Sequence, residues 1–196
     1  MLHDLDKTLE MLLKRELPPE ISSRVGVSFV TPDDQFPPAT VTLPVINLFL
    51  YDVQENHDLR DFESSQTRQK DGSVTRRPPP ARIDCHYLVT ACSSAQSPEE
   101  DEHRILGEAL KVFFRYRRLP REVLYGSLKS LEPPVRARTA QAISSGPTIN
   151  IWHSLKGKPR ASFLYTLSLC VEVGDPVIGS PVASGLNSGV TPDEGE

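Results

Sequence analysis

Hydrophobic positions at the start of the chain recur at spacings of three and four: Leu2, Leu5, Leu9, Leu12 and Leu13. Asp4, Asp6, Lys7, Glu10, Lys14 and Arg15 fill the rest of the wheel, so the pattern predicts an amphipathic helix that ends before Pro18-Pro19. The period then shortens to two. Val25, Val27 and Phe29 alternate with Gly26 and Ser28, which suits a half-buried strand running into the turn-rich segment 31–40. The run Pro44 to Val53 is apolar at positions of both parities, the mark of an interior strand covered on two sides or shielded by a neighbouring subunit.

From Glu55 to Arg77 the chain is polar, with Lys70-Asp71-Gly72-Ser73 at its centre; Asp-Gly is a strong turn signal, and the stretch reads either as a projecting β-hairpin or as an irregular surface loop. In Ala81 to Ser93 the alternation is strict, with Ile83, Cys85, Tyr87, Val89 and Ala91 on one face and Asp84, His86, Leu88 and Thr90 on the other. Ser97-Pro98-Glu99-Glu100 has the composition of a capping box opening a second long helix. Its apolar stripe is Ile105, Leu106, Ala109, Leu110, Phe113 and Tyr116, and Leu119-Pro120 stops it. Acidic residues at its start and Arg115, Arg117 and Arg118 at its end complement the helix dipole.

Beyond it come a short turn or helix at 121–125, strands near 127–131 and 135–143, and an aromatic-bearing segment at 149–155. A strand follows at 162–173, with Phe163, Tyr165, Leu167, Leu169, Val171 and Val173 on one side. The expected architecture is α+β: one domain over 1–173, a mostly antiparallel sheet carrying two main helices, a projecting hairpin, and a flexible tail over 174–196 that has too little apolar surface to fold alone.

Charge and composition then narrow the function. A net charge of −4 gives no global attraction to polyanions, so nucleic acid is not an expected partner. The N-terminal stretch is charged throughout and has no small-residue cleavage site, so it does not read as a signal peptide, and the longest apolar run falls far short of the roughly 20 residues of a membrane span. Cys85, Cys92 and Cys170 sit in apolar or alternating stretches, as reduced thiols packed in a cytosolic protein would.

Candidate chemistry is sparse. Cys85 and His86 are strand neighbours pointing to opposite faces, with no further metal-ligand spacing to join them, so no metal or cofactor is expected. No phosphate loop and no nucleophile signature is present, and no catalytic residue can be named. An enzyme would need a site gathered from dispersed residues such as His57, Asp84, His86 and His153. The features that stand out belong to recognition. Arg60, Arg68, Lys70, Arg76, Arg77 and Arg82 around the polar stretch, and Arg115, Arg117 and Arg118 at the helix end, are suited to docking on acidic partners. Trp152, the single tryptophan, reads as a core or interface anchor.

Five stretches taken together, DLDKTLEMLL, LPVINLFLYDVQENHDLR, RRPPPARIDCHYLVTAC, EEDEHRILGEALKVFFRYRRLP and IWHSLKGKPRASFLYTLSLCVEV, resemble the cap or tail-terminator subunit of contractile, phage-tail-like injection systems, in order and spacing over about residues 1–173. The resemblance implies a non-enzymatic subunit forming a six-membered ring at the end of the tail opposite the baseplate. There it would touch inner tube and contractile sheath, terminate both and couple them, within a particle assembled in the cytoplasm. A baseplate or adaptor subunit of the same machine is the nearest alternative.

Overall fold

The computed structural model describes residues 1–59, 65–69, 73–140 and 149–179. By its internal contacts the chain divides into two compact units, Met1–Arg60 with Ala81–Val171, and Asp61–Pro80 with Glu172–Glu196.

The first unit is built on helix α1 (Leu2–Glu16), the short α2 (Pro19–Ser22), strands β1 (Gly26–Ser28) and β2 (Val45–Glu55), and, in the second unit's share of the chain, β3 (Ser65–Arg68) and β4 (Val74–Arg77) intervene before the long β5 (Ala81–Cys92). Helix α3 (Pro98–Arg115), β6 (Arg136–Thr139), α4 (Ile149–Ser154) and β7 (Ser162–Val171) complete it. Its five strands lie in the order β1-β2-β5-β7-β6; β1 runs parallel to β2 and the other pairs are antiparallel. The architecture is α+β, as the alternation of periods implies.

The two faces of this sheet differ. On the helix-covered face, Ile46 and Leu48 of β2, Cys85, Tyr87, Val89 and Ala91 of β5, and Tyr165, Leu167 and Leu169 of β7 meet Leu5, Leu9, Leu12 and Leu13 of α1 and Ile105, Ala109, Val112 and Phe113 of α3. Each large side chain buried here contributes about 1.5–3 kcal/mol by leaving water. Phe113 stacks against Tyr165 with ring centroids 4.1 Å apart. The opposite face carries a smaller cluster in which Trp152 of α4 covers Leu88 and Leu164, with Phe49, Tyr51 and Ile151 packed around them. The β2 run is apolar on both faces because both are covered within the chain over Val45–Leu48; Phe49, Leu50 and Tyr51 beyond are half-buried and Val53 is exposed.

Several expectations need correction. Ser97 precedes α3, but its side chain makes no capping hydrogen bond, so the capping box is not formed. The acids after it are used elsewhere: Asp101 pairs with Arg24 (2.7 Å) and accepts from Ser93 Oγ, and Glu102 accepts from Ser93 N–H and from Arg160. Neither acid belongs to the expected box, whose glutamate, Glu100, is exposed at the start of the helix. Val112 joins the buried stripe while Leu110 is only half-buried. The stretch read as a strand near 127–131 is a 3-10 helix, Gly126–Ser130, following another at Arg121–Val123. Its form is set by α1: Asp4 accepts from Ser127 N–H (3.1 Å) and Oγ (2.7 Å), and Thr8 Oγ1 accepts from Tyr125 N–H (3.0 Å). Gly126 has φ +53°, and a Cβ there would lie 2.3 Å from Asp4 Oδ1, so only glycine fits.

The second unit holds an antiparallel three-stranded sheet in the order β3-β4-β8, where β8 (Val177–Gly179) pairs with β4. A strand thus occurs inside the segment read from composition as tail. The hairpin reading of 55–77 holds for its described strands; Lys70, Asp71 and Gly72 of its turn, residues 141–143 of the strand expected after Val135, and the tail from residue 180 onward lie outside the described residues.

Candidate functional site

The exposed chemistry of the first unit concentrates at the β6 edge of its sheet. Beyond α3 the backbone turns outward, and residues 117–119 run alongside β6: Ala137 N–H donates to Arg117 O (2.8 Å), Leu119 N–H donates to Val135 O (3.2 Å), and Arg118 and Arg136 form an antiparallel bridge. The alternation of β6 buries Ala137 toward the helix side and leaves Arg136 and Arg138 exposed, in register with Ser168 and Thr166 of β7. The outcome is an open groove of about 450 Å³ lined by Arg117, Arg118, Arg136 and Arg138 together with Asn56, Asp58, Leu59 and Ser168. A neighbouring recess of about 280 Å³ is shared by Phe114, Arg117, Arg138 and Thr139.

Asp84 anchors the floor. It is buried, and its carboxylate accepts from Asn56 Nδ2 (2.9 Å), Ser168 Oγ (2.5 Å) and Arg138 Nη2, so three donors from different parts of the sheet converge on one acid. Arg138 is fixed by this ion pair, whereas Arg117, Arg118 and Arg136 form no salt bridge among the described residues. Leu59 and Phe114 stand beside them 40% and 51% exposed. Arginine with exposed large apolar side chains is the composition of protein–protein contact surfaces.

The residues expected to act at interfaces are distributed over both units. Arg117 and Arg118 line the groove; Arg115, a few residues back, is turned to Glu16 (3.4 Å). Arg68 of β3 and Arg76 and Arg77 of β4 are exposed, with Arg77 paired to Glu172 (3.3 Å). Arg82 of β5 is half-buried. Arg60 and Lys70 lie outside the described residues. Trp152 is a core residue: it is 2% exposed and its Nε1 donates to Ser162 Oγ. Arg136 and Arg138 escaped the sequence reading, although the alternation in Arg136-Ala137-Arg138 would have placed both on one strand face.

Residues of a dispersed catalytic site are not drawn together by any contact among the described residues. Asp84 is engaged as above, His86 Nδ1 lies 3.0 Å from Thr166 Oγ1, and His57 and His153 are exposed on separate elements. No group of three or more His, Cys, Asp or Glu among the described residues is placed to hold a metal ion. Burial pushes the Cys85 thiol up to about 12, with the Asp84 carboxylate adding to it, so Cys85 is a poor nucleophile at neutral pH. No described helix is long and apolar enough to cross a membrane.

In the second unit the exposed chemistry is apolar. Val177 and Ile178 of β8 are 66% and 72% exposed on the outer strand of the three-stranded sheet. Adjacent exposed aliphatics on an edge strand are the kind of surface that a partner covers.

A mixed five-stranded sheet covered by two long helices, with exposed arginines at its β6 edge, defines a small α+β module. The chain belongs to the Pvc16 N-terminal domain family, whose model matches residues 4–184. Among solved structures it is similar to the sheath/tube terminator, in the extended state, of the extracellular contractile injection system PVC, at TM-score 0.70 and 21% identity over 98% of this chain. It is also similar to the tube-terminating cap of the anti-feeding prophage, at TM-score 0.63 and 21% identity over 94% of this chain. The chain spans 64% and 60% of the length of those two structures. Among curated proteins none matches at a significant level.

Proposed function

We propose that this chain is the terminator module of a contractile injection system, a non-enzymatic subunit that closes the end of the inner tube and sheath. The observation that supports this best is the extent of the likeness: nearly the whole chain shares its fold with terminators of two named particles. The surfaces are of the right kind. Exposed arginines, Leu59, Phe114, Val177 and Ile178 offer contact area, while the polar groups of the sheet's outer face are engaged with one another. In this reading the module forms a six-membered ring at the baseplate-distal end, touches tube and sheath protein, and is assembled in the cytoplasm into the particle.

The test is particle architecture. In cells making the particle without this subunit, tubes of uncontrolled length and sheaths that fail to hold their extended state are expected by electron microscopy, with a gold-labelled chain restoring both and marking the distal end. Tubes of normal length with a stable sheath would overturn the proposal, and label at the baseplate would replace it with an adaptor role.

A further inference from the structure

We infer that the arginine groove at the β6 edge receives the N-terminal turn of α3 from a second copy of this chain, so that copies dock head to tail; this rests on the terminator reading and names the contact that would close its ring. The groove and its proposed partner occupy opposite ends of one rigid element. Helix α3 has 18 residues and spans roughly 27 Å. Arg117 and Arg118 follow its C-terminal end and meet Arg136 there. Glu99 and Glu100 lie in its first turn, exposed, and neither makes a salt bridge among the described residues, unlike Asp101 and Glu102, which are held by Arg24 and Arg160.

Charge complementarity is therefore built along the helix, with carboxylates at one end and guanidinium groups at the other that form no salt bridge among the described residues. Two such surfaces on one molecule cannot meet within it. They can meet between copies, and a contact joining different patches on successive copies is the heterologous kind that a closed ring requires. The local chemistry fits. The guanidinium groups of Arg117, Arg118 and Arg136, which make no salt bridge among the described residues, can grip the two carboxylates of Glu99 and Glu100 by paired hydrogen bonds, and Leu59 and Phe114 provide apolar area at the rim. A chain of net charge −4 keeps this positive focus against its own background, which disfavours random pairing and favours a contact in which the acid is presented at one defined place. The fixed member, Arg138, holds the floor while the other three remain available.

The test uses cysteine pairs in assembled particles. Chains carrying Glu100→Cys and chains carrying Arg136→Cys are produced together, and particles are purified and oxidised. The two positions sit at opposite ends of α3, too far apart to bridge within a chain, so a covalent dimer reports contact between copies. The expected result is a dimer of this chain that needs both substitutions. In parallel, the triple variant R117E/R118E/R136E and the double variant E99K/E100K are each expected to lower occupancy of the tube end about tenfold at moderate salt, and co-production of the two is expected to restore it. These side chains are exposed, and unchanged thermal unfolding of each variant checks that it folds. Particles that carry this chain at the tube end but yield no such dimer overturn the inference and leave the terminator reading standing. A cross-link from Arg136→Cys to a tube or sheath subunit also overturns it, since the groove then has another occupant. Absence of the chain from particle ends overturns the terminator reading itself.

Discussion

The two sheets of this chain stand at opposite extremes of packing. In the five-stranded sheet the central inward side chains, Ile46 and Leu48 of β2, Cys85, Tyr87, Val89 and Ala91 of β5, and Tyr165, Leu167 and Leu169 of β7, are buried, and two long helices close over one face. In the three-stranded sheet only Thr75 is buried among the described residues, its hydroxyl accepting from Gln69 Nε2 (3.1 Å), while Val177 and Ile178 face outward. A sheet without a hydrophobic face has little stability of its own. The first sheet is explained by its own packing; the second has no buried apolar face among the described residues.

That contrast can be broken from either side. The largest effect is expected at Phe113, which is fully buried against Tyr165 and Phe163: Phe113→Ala should cost about 3–5 kcal/mol in urea unfolding. A loss of under 1 kcal/mol would mean that the helix-covered face is far looser than described. Next is Gly126→Ala, for which about 2 kcal/mol is expected, because the residue has a positive φ and a Cβ would displace the Asp4 carboxylate from Ser127.

Acid should act on the first sheet in a defined window. Hydrogen bonds from Ser127 hold the Asp4 carboxyl down to about 2, and the Arg24 guanidinium, helped by Ser93, does the same for Asp101. Both folded-state values lie below the ordinary aspartate value of 3.8, so the stability they confer is complete above it and is lost as pH falls from about 4 to about 2. Trp152, the single tryptophan, reports this unit by its fluorescence, and D4N/D101N should flatten the decline. A decline of equal steepness in that variant would assign the acid response to other groups. The smallest effect on the free chain is expected for V177S/I178S, within about 0.5 kcal/mol of the parent, yet the same change should reduce incorporation into particles. A large loss of stability would show that these side chains are already covered within the chain.

Much of the first sheet was legible from residue order because its signals are local. Period two in Ile83 to Ala91 and in Phe163 to Leu169 named the buried face of β5 and β7, and the leucines of α1 named its inner stripe. Legibility failed where a distant partner decides the outcome. Ser127 to Leu131 alternates like a strand, but Asp4 and Thr8, more than a hundred residues away, hold that region in a 3-10 helix. The groove failed for the same reason: Asn56, Arg118, Arg136 and Ser168 come from four segments, and only the sheet order brings them together. The arginines after α3 were visible as a cluster, and the alternation of Arg136 and Arg138 as a strand face, but not that the two would lie side by side.

The backbone at residues 117–119 has a consequence beyond shaping that groove. By bonding to Val135 and Ala137 it occupies the outer side of β6, while the opposite border of the sheet is the three-residue β1. Neither border offers a long open row of amides on which further strands could add without limit. In a molecule whose proposed task is to end a growing polymer, the five-stranded sheet is thus a poor template for strand addition.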